Sequence, residues 1–358
     1  MAGRGRFNRR EVLKRFGMGA VASYCGLGIA DCGLSQPRES VVRKGASASG
    51  GLFNKISQPV DVGLIKGNDA RDNVYKALKL VEDEVLGSIG NKKILIKPNF
   101  VSTRHELCAT HVEAVRGILD FLTPHYKDQI TIGESTAFGG GTREGYVNYG
   151  YVALEKEYNV RLIDLNEQPW VYRYVFGRDH KPIPIRIIST FLDPDMYIIS
   201  AAKMKTHDRA VTTLSLKNVL LGAPLNDYKK NDKPLMHREY NFSPKAILHF
   251  NMFHLAQEIY PDLGVIDGFV AMEGKGPVGG TPVDARLALA SRDPLAMDML
   301  ATKLMGFDPG KIMYLTSLAE AGFGQGDLAR VNVLGTPAEQ CQYHFQPHPR
   351  LVEPYGLS

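Results

Sequence analysis

Past residue 48 this chain lacks any surplus of charge. The whole sequence holds 43 Lys and Arg against 38 Asp and Glu; residues 1–48 take nine and three of these, leaving 34 against 35. A near-neutral body carries no electrostatic footprint for nucleic acid, and none is expected as a partner. Cysteine is scarce as well. Cys25 and Cys32 fall in the first segment, leaving Cys108 and Cys341, too few to hold a four-thiolate iron–sulfur cluster, so no intrinsic cluster is expected. Beyond the first segment no run reaches the roughly 18 apolar residues that span a bilayer. The glycine-rich loop at 133–142 is neither a Walker A loop nor a G-x-G-x-x-G fingerprint, so it gives no warrant for a nucleotide site.

The basic residues that unbalance the total sit together. Arg4 and Arg6 precede Arg9-Arg10-Glu11-Val12-Leu13-Lys14, and an uncharged, Gly/Ala-rich stretch, 16–30, follows. A basic n-region, paired arginines and a modest apolar run resemble a twin-arginine export signal; a basic disordered arm for anionic partners is the alternative. The expectation is an exported, periplasmic or otherwise extracytoplasmic protein that meets the twin-arginine machinery already folded. Ala46-Ser47-Ala48 offers a cleavage site. Ile29-Ala30-Asp31-Cys32 offers a poorer lipoprotein box, and with it a membrane-anchored form through an uncleaved or lipidated leader. The chain thus divides into a leader, 1–48, a body, 49–335, and a Pro-rich tail, 336–358.

Within the body short apolar runs alternate with helical periodicity. Strands are predicted at 60–65, 94–96, 130–134 and 160–165, with helices between them capped near Asp69 or Asp72 and running near 110–123 and 143–157. Trp170 to Val175 and Ile183 to Ile188 read as an inserted antiparallel hairpin around Gly177. Strands at 196–200, 264–267, 287–290 and 331–333, with helices near 244–259 and 294–305, restore the alternation. This predicts an α/β fold with a mostly parallel, doubly wound central sheet, the first four strands in βα order, as one body or two intimate lobes, 59–168 and 190–335.

Ligands in such sheets bind beyond the carboxyl ends of the strands, and polar residues gather there. Lys97 and Asn99 follow the second strand. The loop after the third, Gly133 to Thr142, contains Gly139 and Gly140 and opens a helix whose free N–H groups suit an anion. Lys203, Lys205, Thr206 and His207 follow the buried strand at 196–200, and Lys217 and Asn218 come soon after. Lysines here suit a carboxylate or phosphate, so Lys97, Asn99, Gly139, Gly140, Thr142, Lys203, Thr206, Lys217 and Asn218 are the candidate substrate-binding set. His207, Lys205 and Asp267 are the candidate catalytic set, His207 as base. Asp267 and Glu273 flank a glycine-rich loop and are candidate ligands for a divalent metal. Asp293 reads as a helix start and Asp298 as a buried structural carboxylate. His105, Cys108 and His111 do not match a zinc pattern.

The segment 225–240 has no apolar period and carries Lys229, Lys230, Lys233, His237 and Arg238. It is expected to close as a lid over the anion.

Taken in order, Lys97-Pro98-Asn99, the Gly133–Gly141 loop, Lys203-Met204-Lys205-Thr206-His207, Leu216-Lys217-Asn218, Ile266-Asp267-Gly268, Gly274-Lys275-Gly276-Pro277 and Ser291-Arg292-Asp293-Pro294 resemble the domain of unknown function 362 family, over roughly residues 60–306. The resemblance implies a redox-related setting, since members are sometimes fused to ferredoxin-like modules, and an exported redox partner. It supplies no settled chemistry. The reading is an enzyme acting on a small anionic substrate by lysine-assisted or metal-assisted chemistry; the alternative is a non-catalytic ligand-binding or accessory subunit exported with a redox partner.

Overall fold

The computed structural model describes residues 55–177, 179–237 and 246–357. The expected export leader with its expected cleavage sites, and Arg238 of the polar segment, lie outside the described residues.

Strands β1 (Val60–Lys66), β2 (Lys93–Lys97), β3 (Ile130–Glu134) and β4 (Val160–Asp164) alternate with helices α1 (Ala70–Lys79), α2 (Glu82–Ile89), α3 (Val112–Leu122), α4 (Thr142–Asn148) and the single turn α5 (Leu154–Glu157). The helix expected from Asp69 to about Ser88 is two helices; Asp69 caps the first by accepting the Asp72 N–H at 2.8 Å. The hairpin appears as β5 (Trp170–Phe176) and β6 (Pro182–Ile188), paired antiparallel to each other as a separate two-stranded sheet. Then come β7 (Met196–His207), β8 (Val211–Thr213), α6 (Ser215–Gly222), α7 (Ile247–Ala256), β9 (Leu263–Glu273), β10 (Thr281–Ser291), α8 (Pro294–Leu304), α9 (Met313–Glu320), β11 (Val331–Gly335) and α10 (Val352–Tyr355).

The central sheet runs β11-β1-β10-β9-β7-β2-β3-β4, with β8 added to β7. Its pairings are parallel except at β1–β10, β10–β9 and β7–β8. The first four strands follow in βα order along the chain, but only β2, β3 and β4 are neighbours in the sheet; β1 lies between β10 and β11 toward the other end. The two expected lobes share this one sheet through the β2–β7 pairing.

Burial on both faces explains the apolar strands. Leu95 and Ile198 point into one core, and Ile94, Ile96, Tyr197 and Ile199 into the other, as the two-residue period of a strand requires. The Pro-rich tail is not loose. Phe345, Leu351 and Tyr355 are buried in the first core, and Tyr355 Oη lies 2.7 Å from His249 Nε2.

Candidate functional site

The strongest polar construction stands at the carboxyl ends of β2 and β3. Lys97 Nζ donates to both carboxylate oxygens of Glu134, at 2.9 and 3.0 Å, to Asn218 Oδ1 at 3.0 Å and to the Pro98 carbonyl at 2.8 Å. Glu134 also accepts the N–H groups of Phe100 (2.8 Å) and Ser135 (2.6 Å). Burial pulls the Lys97 pKa down and Glu134 opposes that pull. Helix α6 closes over the lysine because its last residue is glycine: a Cβ on Gly222 would lie 2.2 Å from Lys97 Cε. The other end of α6 is fixed by Asp298, which accepts the N–H groups of Ser215 (2.9 Å) and Leu216 (2.8 Å). Burial pushes the Asp298 carboxyl up to about 8.

Strand β7 runs further than the sequence suggests, to His207, so its lysines lie on a buried strand and not on a loop after it. The extension is stabilised by pairing with β9 on one side and β8 on the other. Lys203 Nζ meets Asp267 Oδ2 at 3.0 Å, and Asp267 accepts two backbone N–H groups besides, from His111 (2.9 Å) and Phe269 (3.2 Å). Lys205 donates to the Cys108 carbonyl, and burial lowers it to about 8. Thr206 Oγ1 donates to the Gly274 carbonyl at 3.0 Å. The glycine-rich loop lies so close to this strand that a Cβ on Gly276 would sit 2.0 Å from the Thr206 carbonyl oxygen.

His207 has a defined tautomer. Its Nδ1 accepts the N–H groups of Arg209 (3.1 Å) and Ala210 (3.3 Å), so Nε2 carries the proton of the neutral ring. Asp208 Oδ1 lies 3.2 Å from Nδ1, a contact that would favour an imidazolium. Burial and the nearby Lys217, His237 and Lys205 outweigh it and push the pKa well below the ordinary histidine range. His207 is thus a hydrogen-bond donor, where the sequence suggests a base.

These elements enclose a cavity of about 720 Å³. Lys97, Asn99, His207, Lys217 and Asn218 border it from the sheet side and α6. Lys233 and His237 border it from the segment 225–237, and Phe138, Leu221, Leu235 and Pro277 supply apolar wall. His237 stacks on His207 with ring centroids 6.1 Å apart. Lys233 Nζ has four oxygens around it: Ser135 Oγ (3.1 Å) and the carbonyls of Leu221 (3.3 Å), Gly222 (2.9 Å) and Pro224 (2.8 Å). Lys217 is only 6 % exposed and lines the cavity, yet its Nζ makes no hydrogen bond among the described residues. Burial, then Lys205, lowers Lys217 to about 7; burial, then Lys97, lowers Lys233 to about 7. Three buried polar atoms without a partner among the described residues, Asn99 Oδ1, Thr213 Oγ1 and His237 Nδ1, belong to this same wall.

The structure does not bring every candidate residue here. The Gly140 N–H is taken by Glu144 Oε2 at 2.6 Å and the Thr142 N–H by Tyr228 Oη at 3.0 Å, so the loop's anion donors are used internally; Gly139 stands beside Thr103. Lys203, Lys205, Thr206 and Asp267 support the wall from behind without lining it. Glu273 accepts the Gln346 N–H at 2.8 Å and stands six residues from Asp267 on one strand, about 20 Å away at roughly 3.3 Å per residue, so the two do not form one metal site. Among the described residues no group of three or more His, Cys, Asp or Glu is arranged to hold a metal ion. Cys108 and Cys341 are both buried and free.

The polar segment is a correction of another kind. Residues 225–237 are wall: Lys233–His237 forms a short turn, Asp232 is buried against Arg186 at 2.9 Å, and Tyr228 reaches Asp164. Polar partners inside the fold replace the missing apolar period. Sequence reasoning noted Glu134 at a strand end without placing it in the site, and placed Lys233 and His237 there only as parts of a closing lid.

Residues 94–303 match the family model described as Domain of unknown function (DUF362). Thylakoid-associated protein sll1697 from Synechocystis sp. is 27 % identical over 246 residues, which are 67 % of this chain and 72 % of that protein. Two solved structures overlap at 13 % identity and a TM-score of 0.38: a protein from Thermotoga maritima, covering 64 % of this chain, and the lactate racemase apoprotein from Thermoanaerobacterium thermosaccharolyticum, covering 70 %. The chain spans 57 % of the length of each, and likeness at that level assigns no chemistry. Among the described residues no helix is long and apolar enough to cross a membrane. With more than half of its length matched, the chain belongs to the domain of unknown function 362 (DUF362) family.

Proposed function

We propose that this protein is an enzyme that binds a small organic anion in the cavity beneath α6 and moves a proton on it with a buried lysine. One observation carries the reading. Lys217 and Lys233 are buried on the wall of one cavity, with Lys205 buried behind it, and among the described residues none of the three makes an ion pair with a carboxylate. Uncompensated buried cations are costly, and an anion in the cavity offsets that cost. A lysine lowered to about 7 exchanges its proton readily near neutral pH, as a general base must. In this reading Lys217 is the base, His207 Nε2–H orients the substrate, and Lys97–Glu134 and Lys203–Asp267 hold the wall rigid.

The arginine-rich leader and the thylakoid-associated relative support a place outside the cytoplasm. A second reading, an accessory subunit, is favoured by the aromatic face of the hairpin, where Tyr172 and Tyr174 are each 56 % exposed and Trp170 40 %.

Proton NMR in deuterium oxide with a panel of short 2-hydroxy acids, 2-oxo acids and phosphate esters separates them. The enzyme reading expects one acid to bind and to take up deuterium at carbon, with uptake lost in Lys217→Met. Binding without exchange across the panel moves the assignment to the accessory reading.

A further inference from the structure

We infer that Lys217 is a nucleophile whose amine forms an imine with the carbonyl group of a short 2-oxo acid. This rests on the reading of the cavity as an anion site and names its substrate class.

The argument starts from what the lysines do with their hydrogens. Lys97 and Lys233 each face four oxygens, and Lys203 faces Asp267, so all three are arranged as hydrogen-bond donors. Lys217 faces the cavity with no acceptor among the described residues. A buried amine beside other cations, with no hydrogen-bond acceptor on its ammonium form and only the charge of Asp208 to oppose burial, keeps its lone pair available for attack. The Lys217 pKa, about 7, agrees with that geometry.

The walls suit the rest of such a molecule. His207 Nε2–H and the cationic residues beside it face a carboxylate. Asn99 Oδ1 and Thr213 Oγ1, without partners among the described residues, supply an acceptor and a hydroxyl for the addition product. Leu221, Leu235, Pro277 and Val278 line the apolar part, which suits an alkyl chain.

The step balances without a further reactant. The Lys217 lone pair attacks the carbonyl carbon, the C–N bond forms and the carbonyl oxygen becomes a hydroxyl. That hydroxyl then leaves as water, carrying off both amine hydrogens, and the C=N bond remains.

The test is reductive trapping. The full chain is incubated with 2-oxobutyrate and cyanoborohydride near neutral pH, then digested and mapped by mass spectrometry. The expected result is one adduct, on the peptide containing Lys217. It is absent in Lys217→Met and Lys217→Arg, present in Lys93→Arg as an exposed-lysine control, and at least about tenfold weaker with butanone, which lacks the carboxylate. Circular dichroism and melting confirm that the variants fold. Adducts scattered over exposed lysines, or an equal yield in Lys217→Met, overturn the inference. Calorimetry with 2-hydroxybutyrate, which has no carbonyl to attack, separates the two levels. Saturable binding of that acid without trapping of the oxo acid overturns the imine alone. No binding of either acid overturns the imine and the anion-site reading together.

Discussion

Lys97 and Glu134 form a buried ion pair, Nζ to Oε1 2.9 Å, that ties the ends of two parallel strands together beneath helix α6. Neither residue is more than 2 % exposed in its side chain. Removing one partner strands the other charge in a dry site. Lys97→Met or Glu134→Gln is therefore expected to cost about 3–5 kcal/mol, measured by urea unfolding. A Lys97→Met, Glu134→Leu double variant should recover at least half of the loss. A double variant as unstable as the sum of the singles contradicts the pairing.

Stability should depend on pH in an unusual direction. Unfolded Lys217 holds its proton up to about 10.5, whereas the folded residue releases it from about 7. Between those values the unfolded chain binds more protons, so stability rises with pH, by at most about 1.4 kcal/mol per unit for each such lysine. Below about 7 both states are protonated, and the full cost of the buried charge is present. Lys217→Met should flatten that slope and stabilise the protein by about 1–3 kcal/mol near pH 6. Chemical denaturation at a series of pH values measures both, and an unchanged slope in the variant sinks the argument.

The tautomer of His207 is open to direct observation. Two backbone N–H groups point at its Nδ1, so nitrogen-15 NMR of histidine-labelled protein should show a neutral ring with the proton on Nε2 from about pH 6 to 8. A ring that titrates in that interval, or one protonated on Nδ1, would restore the base role.

Asp298 acts on the site at a distance. It holds the first turn of α6, and α6 carries Lys217 and Asn218. Asp298→Ala should lower stability by about 1–3 kcal/mol and weaken anion binding, while Asp298→Asn, which keeps one acceptor oxygen, should restore part of both. Equal binding by Asp298→Ala and the parent chain would free α6 from this dependence.

How much of this was legible in the sequence follows from range. Local features read well: the hairpin around Gly177, Asp69 and Asp293 as caps, and the apolar strands up to Ile199. Lys203 to His207 misled because lysines on a strand look like a loop until Asp267, more than sixty residues on, is seen to pair with Lys203. The place of β1 beside β10 is likewise a long-range pairing with no local signal. Gly139 and Gly140 suggested an anion loop, but Glu144, one turn into α4, occupies it from inside. Lys97, Asn99, Lys217 and Asn218 were singled out because polar residues recur at and just after the strand ends, and the structure brings these four to one cavity wall. Lys233 and His237 were treated as parts of a mobile lid, because nothing local shows that Ser135 and the α6 carbonyls receive them.

The central claim is that a lysine of lowered pKa faces an anion in this cavity, and proton uptake tests it most directly. Calorimetric titration of 2-hydroxybutyrate at about pH 8, in buffers of different ionisation heat, counts protons bound with the ligand. At that pH Lys217, lowered to about 7, is largely neutral, and a nearby carboxylate favours its ammonium form. The account predicts saturable binding with uptake approaching about one proton per ligand, lost in Lys217→Met. Binding without proton uptake, or the same uptake in the variant, would contradict it.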